Sequence, residues 1–121
     1  KLLMGRLAFR NKEQRNKWKA LALPERMFWG GECAANVTDN YLEPGTFEIY
    51  TDVPTAYLMK TGFVKQDVNG EIKVYQKFWK WETEDHLAPL ILVYADLMGS
   101  GSSRCLEAAN RLIEYGLNDF E

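Results

Sequence analysis

The sequence predicts an α/β domain of the α+β kind: a small mixed sheet with an antiparallel hairpin, flanked by helices and completed by a C-terminal helix pair. Apolar and polar residues alternate over residues 46–51, which is typical of a strand with one buried face. Asn69-Gly70 lies between two apolar runs and indicates the hairpin. Apolar residues recur every three or four positions on both sides of Gly99, which predicts the helix pair. With 46% hydrophobic residues in 121, the chain can bury one compact core, so we expect a single domain over residues 1–121.

Residues 1–22 are predicted to form a basic leader helix. Residues 1–19 hold seven Lys or Arg and one acid, a charge of +6, while the rest hold eight against sixteen, a charge of −8, which together give the net −2. Trp18 and Leu21 are the apolar anchors of a helix over residues 11–21, which ends before Pro24. Such a leader could contact a phosphate backbone, but a solvated amphipathic helix explains the same charges. The candidate nucleic-acid contacts are Arg6, Arg10, Arg15 and Lys19.

A strand and a helix follow, joined by Gly30-Gly31. Residues 26–29 form a short apolar run that the two glycines end, which predicts a buried strand and a sharp turn. Ala34, Val37 and Tyr41 share one side of the next helix, which ends at the Glu-Pro-Gly of residues 43–45. We therefore expect Gly30 and Gly31 to have a structural role.

The middle of the chain predicts a short helix and the hairpin. Asp52 can cap a helix over residues 54–61 whose Tyr57 and Leu58 pack inward. Residues 63–68 and 72–79 flank Asn69-Gly70, and a type I′ turn needs positive φ at both of its central residues. We expect an antiparallel two-stranded arm over residues 63–79.

Three aromatic residues at and just after the end of this arm have two interpretations. Phe78, Trp79 and Trp81 could form a stacking platform for bases, or they could fill the core under the hairpin. For contact with a protein partner, the candidates are Trp79 and Trp81.

The C-terminal helix pair is joined by a glycine and serine turn. The first helix runs over residues 87–98 and is stopped by Gly99, and the serines that follow supply a cap for the second. Asp96 and Arg104 bracket the turn. We expect a charge-assisted hydrogen bond between them, or from each to unpaired backbone groups, to lock it. Tyr94, on the first helix, is assigned to the same structural set.

The residues that could carry catalysis do not form a recognisable constellation. Gly30-Gly31 could point backbone N–H groups at a phosphate, but a nucleotidyltransferase would add two carboxylates, one residue apart, near the end of the next strand. Only Asp52 is acidic there, and Tyr50 holds the partner position. Cys33 and Cys105 lack a metal-binding spacing and are predicted to be small buried hydrophobes. We expect no catalytic residues, no metal and no cofactor.

Three segments together resemble the C-terminal domain of AbiEi-type antitoxins of bacterial type IV toxin–antitoxin systems. They are residues 28–35, residues 41–44 with 47–50, and residues 93–97 continuing through 104–109. The likeness spans residues 25–117. In the family an aspartate usually stands where this chain has Ser102, a mild departure at a capping position.

The resemblance implies a function through surfaces. Family members commonly carry an N-terminal winged helix that binds operator DNA, while the C-terminal domain is linked to neutralising a nucleotidyltransferase-like toxin. It implies an antitoxin-like core over residues 25–117 in what is predicted to be a C-terminal fragment. We expect a non-enzymatic antitoxin or transcriptional-regulator domain, bacterial and cytoplasmic, without membrane contact. Its partners would be operator DNA, through a missing winged helix, and the toxin, with direct contact left open. The alternative is a degenerate nucleotidyltransferase-like domain that binds a nucleotide near Gly30, Gly31 and Asp52.

Overall fold

A five-stranded mixed sheet forms the centre of the computed structural model, which describes residues 1–116 apart from the Tyr115 side chain. The strands are β1 (Leu3–Phe9), β2 (Met27–Gly30), β3 (Phe47–Thr51), β4 (Val64–Gln66) and β5 (Ile72–Gln76). They lie in the order β2-β3-β5-β1-β4. β3 runs parallel to β5, β2 is antiparallel to β3, and β1 is antiparallel to both β5 and β4. The predicted fold class is confirmed.

Helices cover the sheet and complete the predicted C-terminal pair. They are α1 (Lys12–Asn16), α2 (Gly31–Asp39), α3 (Ala56–Met59), α4 (Leu90–Ser100) and α5 (Ser103–Tyr115), with a 3-10 turn at Trp18–Ala20. α2 packs on β2 and β3, and α4 and α5 pack on α2 and on each other. The Ser102 side chain caps α5 by accepting a hydrogen bond from Cys105 N. None of the helices described is long and apolar enough to cross a bilayer.

The predicted leader helix is wrong over its first half, because Leu3–Phe9 is a strand. β1 lies between β5 and β4, and Leu7, Ala8 and Phe9 are buried. The secondary structure of this segment is therefore set by its short apolar run, which pairs with a strand on each side. The basic residues around the run do not determine it. A helix forms only afterwards, where the Asn11 side chain accepts a hydrogen bond of 2.9 Å from Gln14 N.

The predicted hairpin over residues 63–79 is also wrong, because β4 and β5 are not paired with each other. β1 lies between them, and since both are antiparallel to it, they run parallel. Gly70 does not take the positive φ that a type I′ turn needs; among the described glycines only Gly31, Gly62 and Gly101 do. A Cβ on Gly70 would lie 2.1 Å from the Leu7 carbonyl oxygen, so glycine allows the β4–β5 connection to cross β1 at this point.

Aromatic side chains cover both faces of the sheet. On one face the Phe47 ring packs edge-to-face against Phe9 and Trp18, with centroids 5.0 and 6.1 Å away. On the other face the Tyr50 ring contacts Tyr75 and Trp79, at 5.5 and 5.4 Å. Residues 47 and 50 are an odd number of positions apart on β3, so their side chains point to opposite faces.

The structure confirms some predictions about the burial of single residues and contradicts others. Cys33 and Cys105 are buried free cysteines, as predicted. Leu58 is buried, but Tyr57 is exposed, because α3 has only four residues and turns one side to the core. On α4 the buried residues are Val93 and Leu97, whereas the apolar residues Ile91 and Met98 are 54% and 42% exposed.

Candidate functional surfaces and polar clusters

The Gly30-Gly31 turn packs closely against β3. A Cβ on Gly30 would lie 2.4 Å from Tyr50 Cε2, and a Cβ on Gly31, whose φ is +52°, would lie 3.1 Å from the Glu48 carboxyl carbon. The space that the glycines leave is therefore occupied by a tyrosine ring and a carboxylate. A carboxylate repels phosphate, so the contacts of this turn support a structural role.

Asp52 lies away from the glycine turn. In the β2–β3 ladder Gly30 pairs with Glu48 and Met27 with Thr51, so Asp52 follows the opposite end of β3. Three strand residues separate the two ends by about 10 Å. Asp52 accepts a hydrogen bond of 2.7 Å from Arg26 Nε, and a second from Nη2. It does not cap α3.

The arrangement needed for the nucleotidyltransferase alternative is therefore absent from the described part of the chain. Asp52 and the two glycines do not surround one space. The hydrogen bonds from Arg26 hold the pKa of Asp52 below its ordinary value, which keeps this carboxylate charged and paired. Residues 1–116 also hold no group of three or more His, Cys, Asp or Glu side chains that could bind a metal.

A polar cluster joins β3 to α4. Lys1 Nζ lies 3.2 Å from Glu48 Oε2 and 3.1 Å from Asp96 Oδ1, and the Tyr50 hydroxyl donates a hydrogen bond of 2.9 Å to Asp96 Oδ2. Burial raises the pKa of Glu48, with Lys1 opposing this effect. Burial also raises the pKa of Tyr50, and the neighbouring Asp96 charge adds to it. The cluster anchors α4 on the sheet.

Asp96 and Arg104 are not paired with each other, so the predicted lock between them is wrong. Arg104 Nη2 lies 3.0 Å from Glu32 Oε1, and Arg104 also donates a hydrogen bond to the carbonyl of Glu43. The two side chains lie on successive helices and reach different elements: Asp96 contacts β3, and Arg104 contacts α2 and the loop before β3. Tyr94 is half-buried against the core.

Glu32 is the polar residue that the sequence analysis missed. It is 8% exposed and accepts hydrogen bonds of 2.9 Å from both Gly45 N and Thr46 Oγ1, besides the ion pair with Arg104. Its signal in the sequence is its place in the first turn of α2, where the helix dipole favours an acid.

The four basic candidates do not form one surface. Arg6 pairs in register with Lys73 across the β1–β5 ladder. Arg15 lies on the opposite side of the sheet, with its guanidinium 5.3 Å from the centre of the Phe47 ring and Nε 4.0 Å from Glu71 Oε1.

The other two basic candidates lie elsewhere again. Lys19 Nζ donates a hydrogen bond of 3.0 Å to Asn40 Oδ1 at the end of α2. The exposed Arg10 follows β1, and its backbone N–H donates to Phe63 O. The basic residues of the leader are close in sequence, but β1 runs through the leader and places them at different parts of the sheet.

The two tryptophan candidates also separate. Trp79 is 3% exposed and packs against Phe28 and Tyr50, so the core-filling interpretation is correct for it and the partner-binding prediction is wrong. Trp81 is 57% exposed. It lines a groove of about 680 Å³ together with side chains of residues 87–91, where α4 begins.

The only histidine, His86, lies beside this groove. It is exposed, and its Nδ1 is 3.0 Å from the Met27 carbonyl oxygen. Its backbone carbonyl accepts a hydrogen bond of 2.7 Å from Trp29 N, and Ala88 N donates to Trp29 O. The segment that leads into α4 is thus held against the outer edge of β2.

Comparison with known proteins identifies one family. A family model described as "Transcriptional regulator, AbiEi antitoxin, Type IV TA system" matches residues 1–117. Comparisons with curated proteins and with solved structures gave no significant match. The resemblance found in the sequence is confirmed, and the match begins at residue 1, so it includes β1.

Proposed function

The chain belongs to the AbiEi antitoxin family of type IV toxin–antitoxin transcriptional regulators, and from this premise we propose that it acts without bond chemistry, by presenting a folded surface to other macromolecules. The proposed partners are operator DNA, reached through a winged helix outside this sequence, and a nucleotidyltransferase-like toxin. Because these partners belong to the bacterial cytoplasm, the proposal assigns the chain to that compartment.

The observation that carries the proposal is the pairing of the carboxylates nearest the glycine turn. Glu48 and Asp96 share the Lys1 ammonium group, and Glu32 is held by Arg104 and by two hydrogen bonds from the loop before β3. A general base or a metal ligand needs a carboxylate directed at a substrate site. These three are directed at other parts of the same chain.

Growth rescue tests the proposal. The chain is expressed together with the toxin encoded beside it, in parallel with the variants Glu48→Gln, Asp52→Asn and Asp96→Asn. Each variant removes a charge and keeps the shape of the side chain. We expect wild type to restore growth and every variant that melts as a folded protein to rescue within two-fold of it.

Two results would contradict the proposal. A folded variant that rescues no better than an empty vector would assign chemistry to its carboxylate. Failure of the wild type to rescue would remove antitoxin function itself.

Nucleotide titration tests the alternative directly. Melting of the chain is followed with ATP or GTP in the presence of MgCl₂, because a ligand at 100 times its Kd stabilises a protein by about 2.7 kcal/mol. We expect no shift. A shift that Gly31→Ala abolishes would restore the nucleotide-binding alternative.

A second candidate function, direct contact of this domain with DNA phosphates, is favoured by one observation. Arg6 and Lys73 are adjacent in register, and the exposed Lys65 pairs with Ala8, two residues along β1 from Arg6, so three cations share one face of adjacent strands. Neutralising several phosphates at once is what gives basic surfaces affinity for DNA.

A further inference from the structure

We infer that the groove beside Trp81 docks a segment of a partner protein that has apolar side chains flanked by Lys or Arg. The inference rests on the proposed function, because it names the surface that a protein partner would contact. The name "Trp81 groove" is used below for the space lined by Thr38, Trp81, Glu82, Thr83, Glu84, Asp85, Leu87, Ala88, Pro89, Leu90 and Ile91.

The floor and walls of the Trp81 groove are apolar. Leu87 and Leu90 are half-buried on the core, and Trp81 and Ile91 leave 57% and 54% of their surfaces exposed. Large apolar side chains that are exposed together around a concavity mark interaction sites more often than isolated ones do. Tryptophan is also one of the residue types enriched among binding hot spots.

The rim of the groove gives the charge of the partner. Glu82, Glu84 and Asp85 are exposed, and within residues 1–116 none of them forms an ion pair. Some acids elsewhere do have a cation partner, for example Asp39 with Arg111 and Asp52 with Arg26. Three uncompensated negative charges beside an apolar floor favour a segment that carries positive charge.

The backbone of the rim is fixed before any partner arrives. Asp85 and His86 have φ of +56° and +54°, a conformation that costs energy for residues other than glycine. Hydrogen bonds to Trp29 on both sides of Leu87 hold this turn to the edge of β2. A rim held in place loses less conformational entropy on binding than a loose loop does.

The charge of the rim also argues against the chain's own C-terminal residues as the occupant. The Cβ position of Gly116 lies 3.0 Å from the Leu90 side chain, and the five residues that follow Gly116 in the sequence include Leu117 and Phe120. They also carry Asp119 and Glu121, which have the same sign as the rim. Like charges repel, so a basic segment from another protein fits better.

The probe is a fluorescein-labelled synthetic peptide of 14 residues with leucines on one helical face and lysines on the other, measured by fluorescence anisotropy with the full chain. We expect saturable binding that Ile91→Ser weakens at least ten-fold. The matched control is Met98→Ser, since Met98 is an exposed apolar residue of the same helix that does not line the groove.

A second pair of variants tests the charges. The triple variant Glu82→Gln, Glu84→Gln, Asp85→Asn is expected to weaken binding at least ten-fold. Asparagine tolerates the positive φ at position 85. Its control, Glu13→Gln, Glu43→Gln, Glu114→Gln, removes the same charge from exposed sites outside the groove and should leave affinity within two-fold.

Besides equal peptide binding by wild type and its groove variants, three results would overturn the inference. The first is an equal loss of binding in Met98→Ser or in the control triple, or equal binding of a peptide with glutamates in place of the lysines. The second is self-association of the chain that Ile91→Ser abolishes, which makes a second copy the occupant. The third is ten-fold tighter peptide binding by Leu117→Ser, Phe120→Ser, which makes those residues the occupant.

The growth assay separates these failures from failure of the proposed function. If wild type rescues growth but the peptide binds no better to it than to the Ile91→Ser and rim variants, only the groove inference is lost. If wild type does not rescue, the proposed function is lost whatever the peptide does.

Discussion

At the scale of single residues, Tyr50 connects the sheet to α4 through one hydrogen bond to Asp96. Its ring fills the space over Gly30, and its hydroxyl is the only polar atom that it brings to the interior. A tyrosine in a buried strand position is thus used for both packing and orientation. The same bond keeps Asp96 directed at the sheet and away from the turn that leads to Arg104.

Replacing Tyr50 with Phe should cost about 1–3 kcal/mol in the free energy of unfolding at neutral pH, because the charged Asp96 loses a donor. Urea denaturation measures this. Tyr57→Phe, at an exposed position, is the control and should change little.

The Tyr50 hydroxyl also predicts a pH dependence. Burial first, and the Asp96 charge second, raise the pKa of Tyr50, so the folded chain holds this proton more tightly than the unfolded chain does. Its stabilisation is therefore complete below about pH 10, the ordinary tyrosine value, and is lost as pH rises further. Urea denaturation at pH 7 and pH 10.5 should give a smaller loss of stability for Tyr50→Phe than for wild type. An equal loss in both would contradict this assignment.

At the scale of elements, the point where the β4–β5 connection crosses β1 leaves no room for a larger side chain. A methyl group on Gly70 would collide with the Leu7 carbonyl, which is backbone in the middle of a paired strand and cannot move aside cheaply. Gly5, on the same strand, has nothing within 4 Å of its Cβ position.

We expect Gly70→Ala to destabilise the chain by about 3 kcal/mol and Gly5→Ala to change its stability by less than about 0.5 kcal/mol. Chemical denaturation of the two variants measures the difference. Comparable stability of both would mean that the connection does not pass β1 as described here.

The sequence predicted those elements that depend on local patterns. The alternation over β3, the glycines where β2 ends and α2 begins, and the serine cap of α5 depend on a few neighbouring residues, and all three are found. The hairpin failed because Asn69-Gly70 is a local signal, whereas the strand between its arms comes from sixty residues earlier in the chain. The sequence of residues 63–79 does not indicate that β1 lies between β4 and β5.

The same distinction explains the polar residues. Asp96 and Arg104 are neighbours in sequence, and a local argument pairs them. Their actual partners, Tyr50 and Glu32, lie on β3 and α2, and tertiary packing alone brings them close. Trp79 and Trp81 are likewise two positions apart in the sequence but differ in burial, because Trp79 packs against the Tyr50 ring on the sheet.

Arg104 ties α5 to α2, but its loss should cost little. The side chain is half-exposed, and Glu32 retains its hydrogen bonds from Gly45 and Thr46 when Arg104 is removed. We expect Arg104→Ala to cost at most about 1 kcal/mol, as for other exposed ion pairs. Glu32→Ala should cost more, since it removes the acceptor that Gly45 N, Thr46 Oγ1 and Arg104 share. Chemical denaturation of both variants tests this order, and the reverse order would contradict the pairing.

At the scale of the whole molecule, the fold spreads out the positive charge that is concentrated near the start of the sequence. Residues 1–19 carry +6, but β1 divides them between the two faces of the sheet. Arg15 is engaged with Phe47 and Glu71, while Arg6 is joined by Lys73 and Lys65, which come from far along the chain. Three cations from β1, β5 and β4 therefore share one face of the sheet, and this set does not coincide with the basic leader.

This redistribution predicts which residues would contact DNA. The affinity of the chain for a DNA duplex from upstream of its gene is measured by fluorescence anisotropy at several salt concentrations. Arg6→Ala, Lys73→Ala should weaken binding and lower the slope of log affinity against log salt by about 1.8, because each phosphate contact contributes about 0.9. Arg15→Ala, Lys19→Ala removes the same charge from side chains that already have partners within the chain, so its slope should stay near that of wild type. Equal slopes for the two double variants would mean that the basic leader as a whole contacts the DNA. Affinity that does not change with salt would mean that this domain does not contact phosphates.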